Sequence, residues 1–194
     1  MTPDFSPRPV QIDVGQLVQR TVASLYSSLV TRPTGRAVRL AIETQLAEVG
    51  DTAFSLIDLS EVTVLDFSCA DEVVAKLLMR YLGEDRPREA FFVFGGVADL
   101  HRDPIEAVLE RQRLAAVARR NDGVTELLGT GTAEEVRAWS FVEERGHVLP
   151  AEASAELGPG AEEVLDRLVS RRLVFQAPRS GEIHALSRLV ADLV

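Results

Sequence analysis

The sequence predicts an α/β protein, with a parallel or mixed sheet and helices, followed by a small C-terminal α+β module. Three short, nearly continuous apolar runs, at 53–59, 90–95 and 114–118, alternate with amphipathic helical patterns. Such runs are typical of parallel strands that are buried on both faces. Their alternation with helices indicates βαβ units with right-handed crossovers. After residue 130 the pattern changes to two helices followed by two strands.

The first 30 residues are predicted to form a tail and one helix. Residues 1–10 are rich in proline, which favours a loosely attached tail. Apolar residues at 14–29 recur with helical spacing, and the sequence Thr-Arg-Pro-Thr-Gly at 31–35 interrupts that pattern. A second helix should follow and end at Gly50. Its apolar face consists of Val38, Ile42, Leu46 and Val49.

Residues 31–130 are assigned to the α/β domain. Its first strand ends at Asp58, and a short apolar turn and strand lead to a strongly amphipathic helix at 71–82. A further helix is expected at 103–111, and a strand or a short helical turn at 126–128 closes the domain.

Residues 131–194 are assigned to the C-terminal module, because the small residues at 129–132 are typical of a boundary. Helices are expected at 133–146 and 161–172, the first with Val136, Trp139 and Val142 facing inward. Strands at 173–177 and 182–186 are joined by Pro-Arg-Ser-Gly, a composition that hairpin turns prefer. The order helix, helix, hairpin resembles a winged-helix module.

Composition limits the classes of function. The net charge of -9 repels nucleic acid and anionic membranes at long range. No apolar run approaches the roughly 20 residues of a membrane span, and the N-terminus lacks the basic and apolar regions of a signal peptide. The single cysteine, Cys69, fits a reducing compartment. We therefore expect a cytoplasmic protein without a membrane partner.

Residues 56–66, Leu-Ile-Asp-Leu-Ser-Glu-Val-Thr-Val-Leu-Asp, resemble the signature of the STAS domain, the fold of bacterial anti-sigma factor antagonists. The family pattern is strand, Asp-Leu-Ser, apolar turn, apolar-Asp-Ser-Ser-Gly, helix. This chain agrees through Asp66 and then has Phe67-Ser68-Cys69. Together with residues 32–36, the stretch 66–72 is similar to an uncharacterised STAS-like branch whose helix begins Ser-x-Ala-Asp-Glu. The resemblance covers about residues 31–129.

The resemblance implies a regulatory protein-interaction module that binds an anti-sigma or switch-kinase-like partner through the start of this helix. The expected partner-binding residues are Asp66, Phe67, Ser68 and Asp71, with Phe67 either an apolar contact or a core residue. STAS antagonists are phosphorylated on a serine here, and the matching residue is Phe67, which has no hydroxyl. Ser68 is therefore either a displaced phosphorylation site or an N-cap paired with Asp71. The adjacent acids favour the cap.

Two other functions remain open. A DNA-associated transcriptional regulator would use arginines of the C-terminal module, although three acids on the helix at 161–172 disfavour nucleic acid. A small-ligand sensor, for a nucleotide or a lipid, would use Gly95 and Gly96, which follow a strand at the carboxyl end of the sheet. A tight turn would explain the two glycines equally well.

The sequence contains no pattern typical of an enzyme. Its histidines, at positions 101, 147 and 184, lie in separate segments without the spacing of zinc ligands. No nucleophile, base and orienting group converge in the sequence. We therefore expect no catalytic activity, no cofactor and no metal, and Cys69 should be a buried, inert thiol. The oligomeric state is left open, a homodimer included.

Overall fold

The computed structural model describes residues 9–16 and 28–193. Five strands of this part form one sheet, and they are β1 (Pro9–Asp13), β3 (Thr52–Asp58), β5 (Glu89–Val97), β6 (Ala115–Arg120) and β7 (Thr125–Gly129). They lie side by side in that order. The first four are parallel, and β7 returns antiparallel to β6. The prediction of an α/β protein with a mostly parallel sheet is therefore confirmed.

Helices cover one face of the sheet. These elements are α1 (Arg32–Glu48), α2 (Phe67–Ala70), a π-helical turn (Asp71–Lys76), α3 (Leu77–Leu82) and α4 (Asp99–Gln112). The turn joins α2 to α3 without a break. Successive side chains of a strand point to opposite faces, so Phe92 and Phe94 of β5 pack beneath these helices. A short ribbon of β2 (Ser28–Leu29) and β4 (Val64–Leu65) lies beside them.

The C-terminal elements cover the opposite face. They are α5 (Ala133–Arg145), β8 (His147–Val148), α6 (Pro150–Leu157), α7 (Ala161–Ser170), β9 (Val174–Gln176), β10 (Ile183–Ala185), α8 (Leu186–Leu189) and a 3-10 turn (Ala191–Leu193). Phe91 and Val93 of β5 share a core with Leu165 and Phe175 from this layer. Strands β9 and β10 form the predicted hairpin, and β8 pairs with β10 on its other side.

Three phenylalanines join the sheet to the C-terminal layer. The rings of Phe54 and Phe91 stack with their centroids 5.3 Å apart. The Phe175 ring meets both edge-on, at 5.0 Å from Phe54 and 5.3 Å from Phe91. Such geometries are favourable for aromatic pairs. The change of pattern near residue 130 therefore marks a change of layer, because the two parts of the chain share this core.

Several boundaries near the N-terminus differ from the prediction. Pro9 and Val10 belong to β1 instead of a tail, since they pair with Phe54 and Ser55 of the sheet. Proline is tolerated there as the first residue of an edge strand. Residues 14–16 are helical and 28–29 form β2, whereas 17–27 of the predicted helix lie outside the described residues. The predicted break at 31–35 is the start of α1, because the Thr31 hydroxyl accepts a hydrogen bond from the Thr34 amide at 3.3 Å.

Later elements also differ in detail. Helix α4 begins at Asp99, before the expected residue 103, and contains Pro104 within it. Residues 125–129 form a strand, which settles the choice that the sequence left open. Val136 of α5 is 43% exposed and does not face inward, whereas Trp139 and Val142 are buried as expected. Strand β8 and helix α6 were not predicted.

Candidate functional site

Asp66 caps the helix at the centre of the distinctive sequence segment. Its Oδ1 accepts hydrogen bonds from the Cys69 amide at 2.8 Å and from the Ser68 hydroxyl at 2.9 Å. Asp66 has the extended backbone of an N-cap, with φ -84 and ψ 168. The prediction that Ser68 is the cap was wrong. Burial tends to raise the pKa of Asp66, but these hydrogen bonds outweigh it and hold the pKa below its ordinary value.

Phe67 is the first residue of α2, and 58% of it is exposed. Val64 and Val30 belong to neighbouring backbone segments, because β4, which contains Val64, pairs with β2, which Val30 follows. The Asp66 amide also donates to the Leu29 carbonyl at 2.9 Å. Val64 is 45% and Val30 49% exposed. We call these three side chains the Phe67 surface. Phe67 is therefore not a core residue, and its role as an apolar partner contact stays a prediction.

Ser68 and Cys69 face inward to different degrees. Ser68 is half-buried, and its hydroxyl is engaged by Asp66. Cys69 is fully buried, with its thiol 2.9 Å from the Thr31 carbonyl. Burial, followed by the nearby charge of Asp66, raises the pKa of Cys69 to about 12. Because the thiolate is the reactive form, the expectation of a buried and inert thiol is consistent with this environment.

Asp71 is buried and does not belong to the exposed surface, contrary to the prediction. Its carboxylate lies 2.6 Å from the Arg111 guanidinium and 2.7 Å from that of Arg32. The adjacent Glu72 is also buried, and it contacts Arg32 at 3.1 Å, Arg39 at 3.3 Å and the Lys76 ammonium. The capping box between Ser68 and Asp71 is therefore not formed.

These six residues form an ionic cluster, which consists of Asp71, Glu72, Arg32, Arg39, Lys76 and Arg111. The two carboxylates occupy the π-helical turn, and the cations come from α1, that turn and α4. Sequence reasoning missed the cluster. Its only local signal is the pairing of Glu72 with Lys76 four residues later. The cluster connects α1 and α4 to the π-helical turn that follows α2.

A cavity of about 240 Å³ lies at the carboxyl ends of the parallel strands. Its lining includes Gln11, Asp58, Gly95, Gly96, Arg119 and Leu193. Gly96 has φ +65, and a Cβ at this position would lie 2.4 Å from the Ser60 amide nitrogen. Gly96 is therefore required by the close approach of two backbones, and a Cβ at Gly95 would lie 2.8 Å from Leu56 Cδ1. Both glycines thus line the cavity where the sequence suggested a ligand, and close packing gives a structural reason for each of them.

His101 is a buried structural residue. Its Nε2 lies 2.8 Å from the Val62 carbonyl, and its Nδ1 accepts from the Ala98 amide at 3.2 Å. Burial lowers its pKa, which favours the neutral ring that these two contacts require. No three His, Cys, Asp or Glu side chains in the described ranges are arranged to hold a metal ion.

The C-terminal layer presents an acidic helix to solvent. Glu162, Glu163 and Asp166 are exposed on α7. Two arginines of this module, Arg171 and Arg167, lie 2.8 Å and 3.5 Å from the Glu135 carboxylate, which offsets part of their positive charge. This face would repel the phosphates of DNA.

A comparison with protein-family models gives no match for this chain, and a comparison with curated proteins gives none either. In residues 9–16 and 28–193 no helix is both long enough and apolar enough to cross a bilayer.

Proposed function

We propose that this chain is a non-enzymatic regulatory module of the STAS-like type, which binds a protein partner through the Phe67 surface. The observation that carries the proposal is the exposure of Phe67, at 58%, at the helix start where the resemblance places a partner. The Asp66 carboxylate is occupied by the helix cap, since it accepts from the Cys69 amide. The exposed Phe67 ring is therefore the group at this helix start that is available to a partner. Aromatic side chains are frequent anchors of protein interfaces.

The surroundings of Phe67 support an interface. Val30 and Val64, on neighbouring segments, are also exposed apolar residues, and Leu100 at the start of α4 is 59% exposed. Leu100 precedes His101, which binds the Val62 carbonyl just before β4. Single exposed apolar residues are normal on any protein, and here several occur on segments that neighbour the start of α2. The expected partner has a complementary apolar pocket and is of the anti-sigma or switch-kinase type.

We infer that binding does not depend on phosphorylation of Ser68. A phosphate would add about -1.5 to -2 charges to a hydroxyl that lies 2.9 Å from Asp66. The repulsion would also break the hydrogen bond that helps to fix the helix cap. Of the two roles considered for Ser68, neither is supported: the cap is Asp66, and the modification would disrupt it.

The C-terminal layer has the order helix, strand, helix, helix, strand, strand, with the sheet order β8-β10-β9. This connectivity supports the winged-helix resemblance more fully than the sequence did, because helix α6 and strand β8 add to the predicted two helices and hairpin. The acidic exposed face of α7 disfavours reading of DNA. In our proposal this layer is a structural cover of the sheet and does not bind nucleic acid.

Site-specific photo-crosslinking in cells tests the proposal. A benzoylphenylalanine at position 67 is compared with one at position 136, where Val136 is 43% exposed on the opposite layer. We expect position 67 to capture one protein of the anti-sigma or switch-kinase type and position 136 not to capture it. Absence of an adduct at position 67, or identical adducts at both positions, would contradict a partner surface around Phe67.

A further inference from the structure

We propose that the cavity at the carboxyl ends of the parallel strands binds a small aliphatic α-amino acid as a zwitterion. The inference does not rest on the proposed partner surface. Ligands of open α/β sheets bind at this end of the strands, and cavities between two layers of a fold are frequent sites. Here the sheet supplies the floor, and Leu193 of the C-terminal turn supplies part of the wall.

The floor contains Gly95, on the strand between those of Asp58 and Arg119, and the Leu56 side chain packs against it. Asp58 of β3 pairs in register with Gly95 of β5, and β6 with Arg119 lies on the other side. Neighbouring strands are about 4.8 Å apart, so the backbones at Asp58 and Arg119 are about 10 Å apart. Strand alternation directs both side chains to the face that Leu56 and Val117 occupy.

Arg119 supplies the anion-binding end. It is half-buried and has no hydrogen-bond or ion-pair partner among residues 9–16 and 28–193. A guanidinium offers a planar fork of donors that matches a carboxylate with two parallel hydrogen bonds. Its neighbour Arg120 is paired with Asp122 at 3.0 Å and adds little net charge.

Asp58 supplies the cation-binding end. Its Oδ1 accepts from the Ser60 amide and its Oδ2 from the Gln11 side chain, both at 2.9 Å. These bonds fix the carboxylate in place. A carboxylate has about four acceptor positions, so two remain for an ammonium group.

The two ends select the ligand by charge and by size. A phosphate or a dicarboxylate would meet Arg119 but would be repelled by Asp58, whereas a zwitterion satisfies both groups. The cavity of about 240 Å³ is smaller than the roughly 300–1,000 Å³ of drug-sized sites. A nucleotide or a lipid, the ligands considered from the sequence, is therefore disfavoured. Leu56 and Leu193 provide an apolar wall for an aliphatic side chain.

Isothermal titration calorimetry with defined probes tests the ligand class. Glycine, L-alanine and L-valine are the zwitterions, propanoate and isopropylamine carry one charge each, and inorganic phosphate is the competing anion. We expect saturable binding of at least one amino acid, and at least tenfold weaker binding of both single-charge probes. The proposal is overturned if none of the three amino acids binds, if propanoate binds equally well, or if phosphate alone binds.

A pair of arginine variants locates the site. Arg119→Gln should weaken amino-acid binding at least tenfold, and Arg119→Lys should weaken it as well, because the ammonium cannot form two parallel hydrogen bonds. Arg36→Gln is the matched control, since Arg36 is exposed outside the cavity and has no partner in the described ranges. Unchanged affinity in folded Arg119→Gln and Arg119→Lys, or an equal loss in Arg36→Gln, would place the binding elsewhere.

Discussion

Replacement of Phe54 by alanine is expected to lower the free energy of unfolding by about 3–5 kcal/mol. Phe54 is 1% exposed, and its ring contacts Phe91 of the sheet and Phe175 of the C-terminal layer. The substitution removes buried apolar area, leaves a cavity and breaks two aromatic pairs, each worth about 0.5–1.5 kcal/mol beyond its area. One side chain thus connects the two parts of the chain.

Denaturant unfolding followed by two signals measures this effect. Far-UV circular dichroism reports on the whole chain, and fluorescence of Trp139, the single tryptophan, reports on the C-terminal layer. We expect coincident transitions in the unmodified protein and in Phe54→Ala, with the latter at lower denaturant. Phe67→Ala is the control and should change the stability by less than about 0.5 kcal/mol, because Phe67 is exposed. Two separate transitions in the unmodified protein would show that the layers fold independently.

The second large effect is expected at the ionic cluster. Glu72→Gln keeps the shape of the side chain but leaves Arg39 and Lys76 without a charged partner at Glu72. We expect the free energy of unfolding to fall by about 1–3 kcal/mol at neutral pH, because charge-assisted hydrogen bonds to a buried carboxylate are lost. The decrease is limited because the Arg39 and Lys76 side chains are partly exposed to solvent. Glu110→Gln, at an exposed position of α4, is the control and should have little effect.

The effect of Glu72→Gln should depend on pH. Burial tends to raise the pKa of Glu72, but hydrogen bonds and charges from Lys76, Arg39 and Arg32 outweigh it and lower the pKa. The pKa of Asp71 is lowered by Arg32, Arg111 and Lys76 in the same way, against the effect of burial. A carboxyl whose pKa is lower in the folded state stabilises the fold above its unfolded pKa, about 4.3 for glutamate. This stabilisation is lost as the pH falls through the lower, folded value.

Urea titrations at about pH 7 and about pH 3 test this dependence. The decrease in the free energy of unfolding caused by Glu72→Gln should differ between the two pH values. We expect the difference in stability from the unmodified protein to be larger at neutral pH and to shrink in acid. An equal difference at both values, or a larger one in acid, would show that the charge of Glu72 does not stabilise the fold.

The central strands could be predicted from the sequence because burial on both faces leaves a local signal. Runs of apolar residues at 53–59, 90–95 and 114–118 correspond to β3, β5 and β6. The short elements could not be predicted in the same way. Helix α6 has only one buried residue, Ala153, so it lacks an apolar stripe. Strand β8 has two residues, too few for a periodic pattern.

Glycines and prolines were interpreted as breaks where tertiary contacts decide otherwise. Gly35 was assigned to an interruption, but it lies inside α1 where a Cβ would be 2.9 Å from the Cys69 Cα. The glycine therefore permits α1 to pack closely on α2, a contact that local sequence does not reveal. Pro9 likewise begins a strand, because the sheet supplies a partner on one side.

The sequence resemblance indicated residues 66–71 as a candidate site, but it did not reveal the contacts that these residues make. Within this segment, Phe67 is exposed, as a partner-binding residue must be. The resemblance counts Asp71 among the partner-binding residues. Its burial could not be predicted, because its partners Arg32 and Arg111 lie 39 and 40 residues away in the chain. Similarly, the sequence indicates Gly95 as a ligand position but does not show that Arg119 lines the same cavity. The proximity of these two residues depends on the order of strands in the sheet, which cannot be read from the sequence.

The affinity of the partner captured at position 67 tests the central claim most directly. Titration of that purified partner against Phe67→Ser and Val136→Ser compares two exposed apolar residues on opposite layers. Burial of a phenylalanine side chain is worth about 1.5–3 kcal/mol. We therefore expect Phe67→Ser to weaken binding by about tenfold or more and Val136→Ser to leave it unchanged. Equal affinity of Phe67→Ser and the unmodified protein would contradict a partner surface centred on Phe67.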